Sequence, residues 1–268
     1  MRDSEYIRFN ALMSRWVLAL PTESWGVFLF MDLNQIILGD CMELLPLLDD
    51  GIADLIILDP NYNDWDSLCK EGLISEAVRL LKPTGNLLCF TKQPFDYNLR
   101  LEIDHIFRRE IIWTFTNGGA WVSNRMPLVS FQKIYWSTIS NDFYFNQRTG
   151  LPYNDKTTNF KRSKKVWEGY NCEGRDFLKS EDGVWIRDHL HFNKPNMGGI
   201  PAKPLELIDI LIRCFSPTGG LVIDPFCGSG QIPISCLKQN RNFISYELSD
   251  KTYNIANNRL NSQQLKLF

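Results

Sequence analysis

Apolar residues recur along this chain in two rhythms, and their alternation predicts the architecture. Short, continuous apolar runs read as buried strands at Asn34 to Leu38, Asp54 to Leu58, Asn86 to Phe90, Leu221 to Ile223 and Asn242 to Tyr246. Val129 to Thr138 reads as a further strand, and Ile103 to Phe107 and Ile111 to Phe115 carry β-type residues. Helical spacing fills intervals between them: Met42 to Leu48, Leu73 to Leu81, Pro204 to Phe215, the stretch after Gly230 through Leu237, and Asp250 to Leu260. Lys82-Pro83-Thr84-Gly85 and Ser216-Pro217-Thr218-Gly219-Gly220 read as turns. Strands alternating with helices predict an α/β fold built on a mostly parallel, doubly wound sheet.

Both rhythms fade from about residue 141 to residue 196, where polar, aromatic and basic residues take over. Lys156, Lys161, Arg162, Lys164 and Lys165 fall in a ten-residue stretch without an acid. Residues 31–268 therefore read as one domain, with 141–196 inserted into it. Residues 1–30 read as an extension: Arg2, Arg8 and Arg15 precede an apolar run broken by Pro21-Thr22-Glu23, a poor match to a signal peptide.

Composition adds limits. The 268 residues are 44% hydrophobic and 13% aromatic, ample for one sizeable core. The formal net charge of -2 means that a nucleic-acid face would be a local basic patch, not a global property. No run approaches the roughly 20 apolar residues of a membrane span, so no membrane partner is expected. The seven cysteines form no C-x-x-C pair, and with three histidines no zinc spacing arises. The expectation is no metal, and reduced thiols in a cytoplasmic protein.

Two segments carry candidate chemistry. The strand Leu221 to Ile223 runs into Asp224-Pro225-Phe226-Cys227-Gly228-Ser229-Gly230 and then a helix. Glycines let the backbone turn tightly against a ligand, and a helix start offers free N–H groups to a carboxylate. The third glycine of dinucleotide spacing and the G-K-[ST] of a phosphate loop are both missing. Glu247 ends the next strand, where an acid can accept from ribose hydroxyls. The plain alternatives are a tight turn and a solvated acid.

The other segment is Asp59-Pro60-Asn61-Tyr62, at the end of the strand Asp54 to Leu58. An exocyclic amino group on a base is a poor nucleophile because its lone pair is delocalised into the ring. Two acceptors for its N–H bonds localise that pair: the Asp59 carboxylate and the Pro60 carbonyl. Tyr62 can stack on a base turned out of a duplex. The plain alternative is a strand-ending turn with a packed tyrosine.

Together these segments resemble the amino-methyltransferases of DNA in their permuted, beta-class arrangement. In that class a [D/S]-P-P-Y motif precedes F-x-G-x-G, with a target-recognition region between them. The resemblance covers roughly Met31 to Leu260. It implies a Rossmann-like fold, S-adenosylmethionine as cofactor and double-stranded DNA as partner. Asp59, Pro60, Asn61 and Tyr62 would form the catalytic motif. Asp40 and Cys41 after Gly39 would face the cofactor's adenine, and Lys203, in a K-P element, its methionine end. Asp59, Asp224, Phe226, Cys227, Gly228, Ser229, Gly230, Glu247 and Leu248 would complete the cofactor contacts. Asn61 departs from the pattern, standing where the family has proline.

Aspartate at the first motif position resembles the adenine-N6 enzymes, serine being commoner in the cytosine-N4 group. The expected activity is transfer of a methyl group to adenine N6 in DNA at a specific site. Cytosine N4, RNA or a protein glutamine as target, and a non-catalytic DNA-binding homologue, stay open as alternatives. Lys156, Lys161, Arg162, Lys164 and Lys165 are candidate phosphate contacts. Trp167, Tyr170 and Trp185 are candidate base or sugar contacts. Arg125 and Asn117-Gly118-Gly119-Ala120-Trp121 resemble a family loop near the target base. A homodimer and a restriction endonuclease partner are compatible with the family, and the sequence leaves both open.

Overall fold

A computed structural model describes residues 15–19, 28–116, 128–153, 180–196 and 201–267. Strands β1 (Arg15–Ala19) and β2 (Phe28–Asp32) pair antiparallel as a separate ribbon. The main sheet contains β3 (Gln35–Leu38), β4 (Ala53–Leu58), β5 (Leu81–Thr91), β6 (Phe107–Thr114), β7 (Phe131–Ser137), β8 (His189–His191), β9 (Leu221–Asp224) and β10 (Asn242–Glu247). Their order across the sheet is β3-β10-β9-β4-β5-β7-β6-β8. The first five in that order run parallel, β7 is antiparallel to both its neighbours, and β8 pairs parallel with β6. The expected mostly parallel α/β sheet is the one observed.

Continuous apolar runs follow from burial on both faces. Successive β4 side chains point to opposite sides: Ile56 and Leu58 enter one core layer, Leu55 and Ile57 the other. The first layer is covered by α1 (Cys41–Leu44), α2 (Trp65–Lys70) and α3 (Leu73–Leu80), through Cys41, Trp65, Leu73 and Leu80. The second is covered by α5 (Leu205–Phe215), α6 (Gln231–Lys238) and α7 (Asp250–Leu267), through Leu207, Leu211, Ile234 and Ala256. A short helix, α4 (Asp96–Glu102), precedes β6.

Two buried polar side chains lock this frame. Asp54 accepts from the Leu221 N–H at 2.8 Å and from Lys82 Nζ at 2.7 Å, joining β4 to β9 and β5. Asn86 donates to the carbonyls of Tyr144 and Phe215 at 2.8 and 2.9 Å and accepts from Trp136 Nε1 at 2.8 Å. Residues 144–149 thereby dock on the sheet and α5, and the Arg148–Trp185 bridge brings the far end of the inserted region to them. Among the described residues, no helix is long and apolar enough to cross a membrane.

Several local expectations change. The turn read at residues 82–85 is a bulge inside β5: pairing with β4 jumps from Ala53↔Leu81 to Leu55↔Asn86. Ile103, expected in a strand, caps α4, and the strand begins at Phe107. Helices α2 and α4 escaped the apolar pattern, and α7 runs to Leu267, beyond the expected Leu260.

Candidate active site

Parallel pairing sends the carboxyl ends of β3, β10, β9, β4 and β5 to one edge, where ligands of open α/β sheets bind. Reading across that edge gives Asp40 after β3, Glu247 ending β10, the glycine loop after β9, and Asp59 after β4. Two cavities open there. One, of about 430 Å³, is lined by Asp40, Cys41, Phe226, Gly228, Glu247 and Leu248 among others. The other, of about 450 Å³, is lined by Asp59, Tyr62, Phe90, Trp113, Gln132, Lys194, Lys203 and Phe226 to Ser229 of the glycine loop, whereas Gly230, expected as a cofactor contact, lines neither. Asp59, Pro60, Asn61, Phe226 and Gly228 line both, so the two spaces meet at the acid–proline loop.

The glycine loop is held from several sides. Gly228 and Gly230 adopt φ of 54° and 81°, a region that disfavours side chains. A Cβ on Gly230 would press on Ala256 of α7 at 3.3 Å. One on Gly228 would meet the Phe226 carbonyl oxygen at an ordinary contact distance of 3.8 Å. Glu247 accepts from the Gly228 N–H at 2.8 Å and from the Ser249 N–H at 2.9 Å. A carboxylate offers about four lone-pair sites, which leaves capacity for hydroxyl donors. Arg259 of α7 donates to the Ser229 carbonyl and, at 2.8 Å, to Gln231 Oε1. Gln231 Nε2 in turn donates to the Lys203 carbonyl at 2.8 Å.

Asp224 differs from its expected role as a cofactor contact. It is fully buried, lines neither cavity, and accepts from the Phe226 N–H at 3.2 Å and Ser245 Oγ at 3.4 Å. Burial pushes its carboxyl up to about 8; the Phe226 N–H opposes this, and the charges of Asp59 and Glu247 add to it. Asp224 is thus a brace beneath the loop. Cys41 and Cys227 do line the cavities, but burial pushes the Cys41 thiol up to about 12 and Cys227 well above its ordinary value. Both present neutral thiols to the cavity walls.

At the other motif, Pro60 is buried and Asn61 exposed. The Asn61 carbonyl accepts from the Asp64 N–H at 2.8 Å, closing a 3-10 turn over Tyr62–Asp64 that leads into α2. Tyr62 OH donates to Gln132 Oε1 at 2.9 Å, with Asp59 Oδ1 3.5 Å away. Burial, and then the Asp59 charge, push the Tyr62 phenol well above its ordinary range, so it is a neutral donor. Lys203 Nζ lies 2.5 Å from both Asp59 oxygens. Lys92 and Lys203 lie 5.1 and 5.6 Å from the Tyr62 ring centroid.

The structure thus gathers Asp40, Cys41, Asp59, Pro60, Asn61, Tyr62, Lys203, Phe226, Cys227, Gly228, Ser229, Glu247 and Leu248 around joined cavities. Lys156, Lys161, Arg162, Lys164, Lys165, Arg125, Trp167, Tyr170 and residues 117–121 lie outside the described residues. Trp185 is described and 52% exposed, with the Arg148 guanidinium 5.0 Å from its ring, away from both cavities. Sequence reading missed Phe90, Trp113, Gln132, Lys194 and the anchors Gln231 and Arg259. Phe90 was open to discovery, because it precedes the carboxyl end of β5 as Asp59 follows that of β4. The others reach the site from distant elements and carry no local signal.

The open sheet thus sets an acid–proline loop beside a glycine loop and a strand-end acid, an arrangement suited to binding a small molecule at the carboxyl edge. The chain belongs to the N6/N4 DNA methylase family: the family model described as DNA methylase matches residues 54–258. It is 26% identical over 267 residues to the Type II methyltransferase M.HinfI of Haemophilus influenzae, spanning 85% of this chain and 68% of that one. The fold is similar to M1.HpyAVI, solved as a complex with SAM, at TM-score 0.60 and 19% identity, covering 85% and 98% of the two chains. It is also similar to the cytosine-N4-specific PvuII DNA methyltransferase, at TM-score 0.61 and 13% identity, covering 87% and 91%.

Asn61 has φ -58° and ψ 124°, and that φ is the value a proline ring imposes. Asn61→Pro is therefore expected to fold, to retain activity, and to gain about 0.4–1 kcal/mol by restricting the unfolded chain. Thermal unfolding alongside a methylation assay checks this, and a loss of stability would mean the loop needs the Asn61 N–H. For Asp224, a folded-state value of about 8 above an ordinary 3.8 means that its stability contribution is complete below pH 3.8. That contribution is lost as pH rises through about 8. Urea titrations should show the wild type losing up to about 1.4 kcal/mol per pH unit in this window relative to Asp224→Asn. Parallel pH curves for the two proteins would contradict a protonated, buried Asp224.

Proposed function

We propose that this DNA methyltransferase transfers a methyl group from S-adenosylmethionine to the N6 amino group of adenine, at a specific site in double-stranded DNA, with the base turned out of the helix. The observation that carries the reading is the Asp59-Pro60 acceptor loop on the seam between two cavities. Aspartate at this position favours adenine over cytosine.

The residues fit the cofactor by their chemistry. Asp40 and Glu247 offer acceptors for the adenine amino group and ribose hydroxyls in one cavity. Gly228 lines both cavities and brings no side chain into them. The start of α6 and Lys203 supply positive character for a carboxylate in the other cavity. When bound, S-adenosylmethionine supplies an electrophilic methyl group on a sulfonium.

The chain's own residues do the rest. Tyr62 stacks on the extruded base, its ring held by the Gln132 hydrogen bond. The Asp59 carboxylate accepts one amino N–H and the Pro60 carbonyl the other, localising the nitrogen lone pair toward the methyl group. As the nitrogen gains the methyl group it becomes acidic, and its proton leaves through Asp59 Oδ1 or Oδ2 toward solvent. Phe90 and Trp113 wall the pocket and exclude water. The basic stretch from Lys156 to Lys165 and Arg125 would contact phosphates, and residues 141–196 would read the target.

The test is reaction of purified protein with labelled S-adenosylmethionine and unmethylated genomic DNA, followed by nucleoside digestion and mass spectrometry. The expected product is N6-methyldeoxyadenosine, with transfer by Asp59→Ala reduced at least about a hundredfold while cofactor binding persists. N4-methyldeoxycytidine would replace the adenine reading. Near-normal turnover by Asp59→Ala would remove Asp59 from the mechanism.

A further inference from the structure

The most closely held charge in the site is the one that should leave it. Lys203 Nζ sits 2.5 Å from Oδ1 and 2.5 Å from Oδ2 of Asp59, and the two side chains retain only 15% and 24% of their exposure. An ammonium on both oxygens occupies one lone-pair site on each and draws off the negative charge that makes Asp59 a good acceptor. A lysine has three donors, however, and its flexible stem lets the charge relocate without moving the backbone.

The surroundings define where the charge can go. The Lys203 main chain is fixed, because its carbonyl accepts from Gln231 Nε2 at 2.8 Å at the start of α6. Gln231 is held by Arg259, which also grips the Ser229 carbonyl of the glycine loop. The root of Lys203 is therefore part of the glycine-loop wall, while its tip touches the acceptor. The same cavity contains Lys194, whose ammonium is disfavoured by burial first and then by the charges of Lys203 and Lys92. An anion entering here meets clustered cations.

We propose that Lys203 is a positioning residue shared between two anions, Asp59 and the carboxylate at the amino-acid end of the cofactor, so that occupation of that end draws the ammonium from Asp59 and frees an acceptor oxygen for the base. The proposal rests on the reading that S-adenosylmethionine spans the two joined cavities. It makes the acceptor fully effective only beside a bound methyl donor, and it predicts an energetic coupling between Asp59 and a carboxylate that never touches it.

Calorimetry with two ligands isolates that coupling. S-adenosylhomocysteine carries the carboxylate without the sulfonium charge, and methylthioadenosine shares its adenosine and thioether but lacks the amino-acid end. Wild-type protein should prefer S-adenosylhomocysteine by about ten-fold or more, as expected for a charge-assisted contact. Asp59→Asn, which releases Lys203, should raise that preference several-fold. Lys203→Met should largely abolish it, and in the Lys203→Met background Asp59→Asn should change it no further. Unchanged binding of methylthioadenosine shows that each variant is folded. An unchanged or lower preference in Asp59→Asn overturns the sharing, as does an increase that persists without Lys203. Failure of the wild type to bind either ligand would overturn the cofactor reading itself, and the inference with it.

Discussion

Parallel pairing of β3, β10, β9, β4 and β5 is the constraint on which everything else depends. Parallel strands cannot be joined by tight hairpins, so the chain must cross back after each one, and every carboxyl end arrives at the same edge. Asp40, Asp59, the loop from Phe226 to Gly230 and Glu247 are far apart in sequence, and this topology aligns them along one rim. The buried Asp54 fixes the central register by bonding to Leu221 and Lys82, holding β4 beside β9. The two chemically important loops leave those adjacent strands.

That arrangement gathers negative charge where it is hard to accommodate. Asp59, Asp224 and Glu247 stand close enough for the first and last to help raise the second. The protein resolves the crowding in three ways. Asp224 is buried with its carboxyl pushed up to about 8, Glu247 accepts from backbone donors of the glycine loop and Ser249, and Asp59 is paired with Lys203. One carboxyl becomes a brace, one a loop clamp, and one half of an ion pair. Environment, not residue type, separates their roles.

The sequence made the strands legible because a sheet covered on both faces must be written as continuous apolar runs, as in Leu55 to Leu58. It also made the two motifs and their order legible, since each follows such a run. Less was legible where tertiary pairing overrode local chemistry. Pro83 and Gly85 look like a chain reversal, yet neighbouring β4 and docked Tyr144 hold them as a bulge within β5. Helices α2 and α4 are too short for periodicity to declare them. Asp224 looked like a ligand contact because it begins the glycine motif, and only burial reveals that it faces inward. Gln132, Trp113, Lys194 and Arg259 reach the site from β7, β6, the segment after β8 and α7, and no spacing along the chain encodes that convergence. The Asn61 departure proved milder than it looked, since its backbone already has the φ of the proline it replaces.

In the proposed reaction Asp59 presents an acceptor to a base amino group beside a methyl donor. Modification-sensitive sequencing of DNA from cells expressing the wild-type chain, or its Asp59→Asn variant, tests this most directly. N6-methyladenine confined to one short recurring sequence is expected with the wild type, and none at that sequence with the variant. Modification that persists in the variant, or an unmodified genome with the wild type, would contradict it.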